Sequence, residues 1–247
     1  MIANGAHALV TGGGTGVGAE IARRLAGAGA AVTILGRTEA TLRAQGLPHE
    51  TCDVTDADAV DAAFASARAA RGPVGIVVAN AGAAVSRPFA RTSAADFGAM
   101  LEVNLTGTFN VWRSALEDMR AAGEGRLIAI ASTAGLKGYS YVAGYCAAKH
   151  GVVGLTRALA QELATTGITV NAICPGFVQT PMLERSIATI VDKTGASAEE
   201  AAGELRRHNP QGRFIEVDEV AGAVLWLCSH DARSVNGQAI GLSGGET

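Results

Sequence analysis

The sequence predicts a doubly wound α/β fold, a parallel sheet with helices packed on both faces. Two observations carry that expectation: short apolar runs alternate with helix-length stretches through most of the 247 residues, and a glycine-rich turn directly follows the first run. Short apolar runs bounded by turn residues suit strands covered on both sides. The stretches between them are long enough for the crossover helices that parallel strands need.

In chain order, His7–Val10 is the first expected strand, followed by Thr11-Gly12-Gly13-Gly14-Thr15-Gly16-Val17-Gly18 and an alanine-rich helix over Ala19–Ala28. Ala31–Leu35 is the second strand and ends in Gly36-Arg37-Thr38. His49–Cys52 is the third, with Asp53 and Asp56 both suited to cap a helix over Asp56–Arg71. Gly75–Ala79 is the fourth, ahead of Asn80-Ala81-Gly82. One long helix over Phe97–Arg120 leads to the strand Arg126–Ile130, and a helix over Cys146–Thr165 leads to Thr169–Ile173. Val217–Cys228 and Ala239–Leu242 supply the last helix and strand. Seven strands with such connections make one Rossmann-like sheet. With no Pro-, Ser- or charge-rich linker, residues 1–247 read as a single domain.

The segment at about 177–214 breaks the alternation. It holds helix-compatible pieces at Leu183–Lys193 and Ala198–Arg207, then His208-Asn209-Pro210-Gln211-Gly212-Arg213. An excursion of this length is expected to be a lid or binding loop, with a surface helical insertion as the alternative.

Composition removes several function classes. Hydrophobic content of 48% and charge of 17% describe a folded globular chain, and a net charge of −3 offers no basic footprint for nucleic acid. Cys52, Cys146, Cys174 and Cys228 are scattered and read as reduced, buried small side chains, with no disulfide or metal framework. Met1–Gly5 has neither a basic start nor an apolar run, so no signal peptide is expected. No stretch approaches the roughly 18 apolar residues of a membrane span. A cytoplasmic protein is the expectation.

The chemistry is concentrated in three places. Tyr145 and Lys149 stand four apart, on one face of a helix. An ammonium beside a phenol is expected to lower a pKa of about 10, and Ser132 is available to hold a carbonyl or alcohol oxygen. These groups form a proton-transfer device for ketone and alcohol interconversion. Tyr139 and Tyr141 are rival phenols, but their i+4 positions are Ala143 and Tyr145, not lysine. His150 follows Lys149 on another helical face and reads as structural. The glycine turn, best matched as Thr-Gly-x-x-x-Gly-x-Gly through Gly12, Gly16 and Gly18, lets backbone amides approach a pyrophosphate.

With these motifs in place, the chain resembles the short-chain dehydrogenase/reductase family over nearly its full length. The further blocks that carry the resemblance are Asn80-Ala81-Gly82, Asn104 within Val103-Asn104-Leu105, and Pro175-Gly176-Phe177-Val178-Gln179-Thr180. One departure is Ala79, where the family often has a second asparagine. The resemblance implies a catalytic set of Asn104, Ser132, Tyr145 and Lys149. In it Tyr145 exchanges the proton, Ser132 positions the oxygen, and Lys149 tunes the tyrosine and holds nicotinamide ribose hydroxyls. Asn104 kinks its helix and helps fix a water leading from Lys149. The implied dinucleotide contacts are Gly12, Gly14, Thr15, Gly16, Val17 and Gly18 at the turn, with Asp53 and Val54 near adenine. Asn80, Ala81 and Gly82 serve the ribose region, and Pro175, Gly176, Val178 and Thr180 the nicotinamide. Tyr139 and Phe177 join Ser132 and Tyr145 as substrate contacts.

The second strand ends without a carboxylate, and Arg37 offers a planar donor set suited to a 2′-phosphate, with Thr15 and Thr38 as added hydroxyls. NADP(H) is therefore favoured, while NAD(H) stays open if Arg37 stacks on adenine or faces solvent. Several blocks, among them Lys149-His150-Gly151-Val152-Val153-Gly154, resemble bacterial 3-oxoacyl and polyketide ketoreductases. That similarity implies a 3-oxoacyl thioester or related ketone as substrate. The alternative is an NAD-dependent alcohol or 3-hydroxyacyl-CoA dehydrogenase; a non-catalytic dinucleotide sensor is a remote third. Arg185, Lys193, Arg206, Arg207 and Arg213 read either as contacts to an acyl carrier protein or CoA phosphate, or as solvated helix charges. The family's habit of pairing its long helices implies a homotetramer.

Overall fold

Alternate side chains of the central strands divide between two apolar cores, one on each face of the sheet. Leu9, Leu35, Val77, Leu127 and Val170 face one core with Phe64, Trp112 and Val152, whereas Ala8, Val10, Ile34, Val78, Ile128 and Ile173 face the other with Ile21, Leu25 and Val224. The computed structural model describes residues 5–247, and the signal-peptide reading rests largely on residues 1–4, outside that range. Seven parallel strands lie in the order β3-β2-β1-β4-β5-β6-β7: β1 His7–Thr11, β2 Ala31–Gly36, β3 His49–Thr51, β4 Val74–Ala79, β5 Gly125–Ile130, β6 Ile168–Pro175 and β7 Ala239–Leu242. The seven expected strands are all present, each within a residue or two of its expected ends.

The helices are α1 Gly16–Gly27, α2 Glu39–Arg43, α3 Ala57–Arg71, α4 Ala94–Leu101, α5 Gly107–Ala122, α6 Ala143–Glu162, α7 Pro181–Thr194, α8 Ala198–Arg206 and α9 Val217–Cys228. Helix α1 starts at Gly16, ahead of the expected Ala19, so its first turn belongs to the glycine-rich segment. Asp56 caps α3 by accepting from the Asp58 and Ala59 amides, while Asp53 instead closes a local turn onto Thr55. Helix α6 starts three residues before the expected Cys146 and so includes both Tyr145 and Lys149.

The largest departure is the stretch expected as one helix over Phe97–Arg120. It is α4 and α5 joined by a π-helical turn at Glu102–Thr106. Asn104 donates its side-chain amide to the Met100 carbonyl at 3.0 Å. A side-chain donor at a carbonyl that the helix backbone would otherwise occupy is a recognised cause of such a break.

The excursion after β6 is closed at its base, where Val178 pairs with Ile215 and Gln179 N donates to the Ile215 carbonyl. Helices α7 and α8 match the two expected pieces. Among the described residues, no helix is long and apolar enough to cross a membrane.

Candidate active site

The strand order reverses between β1 and β4, and in open α/β sheets the crevice beyond that point takes ligands. The glycine turn follows β1 and Asn80 follows β4, so both lie there. Thr11 locks them together: its hydroxyl accepts from the Asn80 and Ala81 amides, each at 3.0 Å. Asn80 in turn donates its side-chain amide to the Thr11 carbonyl at 2.9 Å. The side-chain amide expected near a ribose thus holds the turn itself, and Thr11, which the sequence offers only as the first residue of the glycine motif, is its anchor.

The glycines of the turn are required by close approach. A Cβ on Gly18 would lie 2.3 Å from the Gly12 carbonyl oxygen, and one on Gly13 would lie 2.6 Å from Ile34 Cβ. Gly12 and Gly16 also adopt positive φ, 64° and 54°. Gly18→Ala is therefore expected to cost about 1–3 kcal/mol of stability and to weaken dinucleotide binding. Thermal unfolding and a fluorescence titration with NADPH and NADH would check both effects.

A dinucleotide fits this cradle. The N-terminus of α1 has no side-chain cap and no acidic residue in its first turn, which leaves its amides to an anion. Thr180 Cγ2 would be 3.3 Å from a Cβ on Gly16, so the segment after β6 closes against the turn. Thr180 itself caps α7 through the Leu183 amide. Val54 is buried, and its carbonyl accepts from the buried Asn110 side chain at 2.9 Å, another partner not foreseen from the sequence. Arg37 and Thr38, just after β2, and Thr15, in the turn, are exposed. The Thr55 amide and hydroxyl, both donating to Asp53, hold that carboxyl below its ordinary pKa, with a smaller contribution from the Arg37 guanidinium 3.8 Å away.

The expected catalytic residues come from three elements and meet. Ser132 follows β5, and its hydroxyl oxygen accepts from the Ala134 amide at 3.1 Å, leaving its proton to donate. Tyr145 and Lys149 come from α6, with the ammonium 5.6 Å from the tyrosine ring centroid. Lys149 is buried and donates to the Ile130 carbonyl at 2.8 Å. Asn104 is fully buried and binds both polar groups of the Ala83 backbone. Gly82 sits between Asn104 and Lys149: its Cβ position is 2.6 Å from Asn104 Oδ1 and 3.7 Å from Lys149 Nζ.

The electrostatics differ from the sequence expectation. Burial pushes the Tyr145 phenol up to about 12, with the neighbouring Ser132 hydroxyl acting against it. Burial also brings the Lys149 ammonium down to about 8. Desolvation is the largest cause at both groups, and the ammonium is directed at the Ile130 carbonyl. At neutral pH the pair is a neutral phenol beside an ammonium, the form that donates a proton.

The rival phenols are engaged or exposed. Tyr139 donates to Glu246 at 2.7 Å and lies 2.7 Å from the Thr133 hydroxyl, while Tyr141 points outward at φ 69°. His150 Nδ1 lies 2.9 Å from the Cys146 carbonyl on an exposed face. Among the described residues there is no cluster suited to a metal, and the four cysteines are free.

Residues 6–191 match the short chain dehydrogenase family. The chain belongs to that family. A Streptomyces coelicolor protein carrying the provisional name ketoacyl reductase is 41% identical, over 96% of this chain and 95% of its own. The 3-oxoacyl-[acyl-carrier-protein] reductase MabA of Mycobacterium tuberculosis is 37% identical, over 96% and 91%. A crystal structure of an actinorhodin polyketide ketoreductase variant with NADPH superposes with a TM-score of 0.93 at 40% identity, covering 98% of this chain and 97% of that one. This short-chain dehydrogenase is an NAD(P)-dependent oxidoreductase, similar over nearly its whole length to proteins named as ketoreductases.

Proposed function

We propose that the enzyme reduces a 3-oxoacyl thioester or a related ketone with NADPH. The observation that carries this reading is the Tyr145 phenol, held neutral by burial and grouped with Ser132 and a buried Lys149 beside a dinucleotide-shaped cradle. Tyr145 gives its proton to the carbonyl oxygen as charge develops there, and Ser132 donates to the same oxygen and fixes its place. Lys149 holds positive charge beneath the phenol, and Asn104 fixes the Gly82–Ala83 backbone that frames the ammonium. The nicotinamide supplies the hydride when bound. The names of the ketoacyl and 3-oxoacyl-carrier-protein reductases among the relatives support this substrate class.

Arg37 supports NADPH through its exposed guanidinium at the end of β2. Arg37→Ala is expected to lower the NADPH-over-NADH preference in kcat/KM by about tenfold or more, the effect of losing a charged hydrogen bond to phosphate. An unchanged preference assigns the discrimination elsewhere. The oxidative reading has a specific support, a D-beta-hydroxybutyrate dehydrogenase of Cupriavidus necator at 35% identity over 98% of both chains. Steady-state rates with acetoacetyl-CoA plus NADPH or NADH, against 3-hydroxybutyrate plus NAD, separate the two. Faster oxidation of the free hydroxy acid with NAD overturns the proposal.

The excursion at about 177–214 acts in this reading as the lid of the substrate cleft. Its Arg206 and Arg207, and Arg213 at its end, pair with Glu199, Glu204 and Glu219, which favours solvated helix charges over a carrier-protein contact. A second copy of the chain is the expected partner for the groove between α5 and α6, where the exposed Phe109 lies beside Leu116, Leu155 and Leu159. A cytoplasmic homotetramer is the assembly this reading expects.

A further inference from the structure

Next to the reacting groups, a polar cluster joins three segments far apart in sequence, and its centre is Glu246. This side chain, in the tail after β7, is only 4% exposed. Its Oε1 accepts from the Tyr139 hydroxyl at 2.7 Å and from Lys137 Nζ at 3.1 Å, and His208 Nδ1 lies 3.3 Å away. Lys137 and Tyr139 belong to the loop that runs from Ser132 to Tyr145, and His208 follows α8 at the end of the excursion. The cluster reaches the site through Thr133, the residue after Ser132, whose hydroxyl is 2.7 Å from that of Tyr139. It also reaches the segment after β6, because a Cβ on Gly176 would lie 3.7 Å from Glu246 Oε2.

A buried carboxylate persists only where donors surround it. An ammonium, a phenol and an imidazole around one oxygen are such a surround, and they are also the groups that would bind the carboxylate of a small acid. Here the chain's own carboxylate occupies them. The rings of Tyr139, His208 and Phe177 pack on one another, with centroids 5.4–6.4 Å apart. Aromatic rings and one already neutralised ammonium therefore make up this cluster.

We infer that Glu246 determines specificity: its carboxylate fills the place in which the carboxylate of a free oxo acid would be held, and so reserves the cleft for substrates uncharged at the acyl group. This rests on the reading of the chain as a ketone-reducing enzyme. Removing the carboxylate leaves Lys137, Tyr139 and His208 to hold an external one.

The test compares acetoacetate, 4-oxopentanoate and 5-oxohexanoate with their methyl esters, using wild type, Glu246→Ala and the double variant Glu246→Ala/Lys137→Met. Wild type is expected to favour each ester. Glu246→Ala is expected to raise the acid-to-ester ratio of kcat/KM by about tenfold for at least one chain length, mainly through KM, as one added ion pair allows. The double variant is expected to lose that gain, which a merely structural role for Glu246 would not produce. Circular dichroism checks folding, and Glu246→Ser, which removes the charge and also vacates the place, takes the same assay if Glu246→Ala does not fold. A ratio unmoved at every length in the folded variant, with wild type active on the esters, overturns the inference alone. Wild type inactive on every ester and acid overturns the parent reading, and this inference with it.

Discussion

Tyr145→Phe is expected to lower kcat for any ketone the wild type reduces by about 10²- to 10⁴-fold, the contribution of one positioned general acid. The substitution removes a hydroxyl and keeps the ring, so the packing of α6 against Ser132 is retained. Burial holds the phenol neutral up to about pH 12, and the group lost is therefore a proton donor throughout the working range. Stability should change little and show no pH dependence near neutrality. An acid whose folded pKa is raised loses stability only as pH climbs from its unfolded value of about 10 toward the folded one. NADPH consumption at saturating ketone measures the loss, and a dinucleotide titration on the same sample shows whether the cradle is intact. A variant that keeps more than about a tenth of the turnover assigns the proton to another group.

The sheet was legible because its central strands are buried on both faces and read as apolar runs, while the edge strands β3 and β7, only partly buried, followed from the alternation with helices. The break between α4 and α5 was only partly legible. Helical periodicity runs straight through it, and its cause is one side-chain amide at the Met100 carbonyl, anticipated only through the resemblance at Asn104. Tyr145, Lys149 and Ser132 could be picked out because they are chemically distinctive and close together in the chain. The anchoring role of Thr11, and Asn110 and Glu246 altogether, could not, because their partners lie 69, 56 and 107 residues away. The same limit explains the electrostatic error. Four-residue spacing places an ammonium on the same helix face as a phenol, but it does not reveal that the lysine is buried, that the phenol is desolvated, or that the ammonium is directed at the Ile130 carbonyl.

That burial gives Lys149→Met two opposite effects: loss of turnover and a gain in stability at pH 7. The ammonium's pKa falls from 10.5 to about 8 by desolvation. At about 1.4 kcal/mol per unit, the folded state bears roughly 3 kcal/mol for keeping it charged. Methionine removes that cost but leaves the Ile130 carbonyl without its donor, a loss of about 1 kcal/mol. The net gain of roughly 2 kcal/mol corresponds to about 4–8 °C in Tm for a chain of this size. The sign is checked by pH. Between about 8 and 10.5 the unfolded chain binds a proton that the folded one does not, so wild-type stability climbs with pH through that window. The advantage of the variant should accordingly be largest at pH 7 and shrink toward pH 10 in urea unfolding. The same ionisation predicts that wild-type reduction falls as pH rises through about 8, where the ammonium beneath Tyr145 loses its charge. A variant less stable than wild type at pH 7, or an advantage that grows with pH, would mean that attraction within the site outweighs desolvation at Lys149.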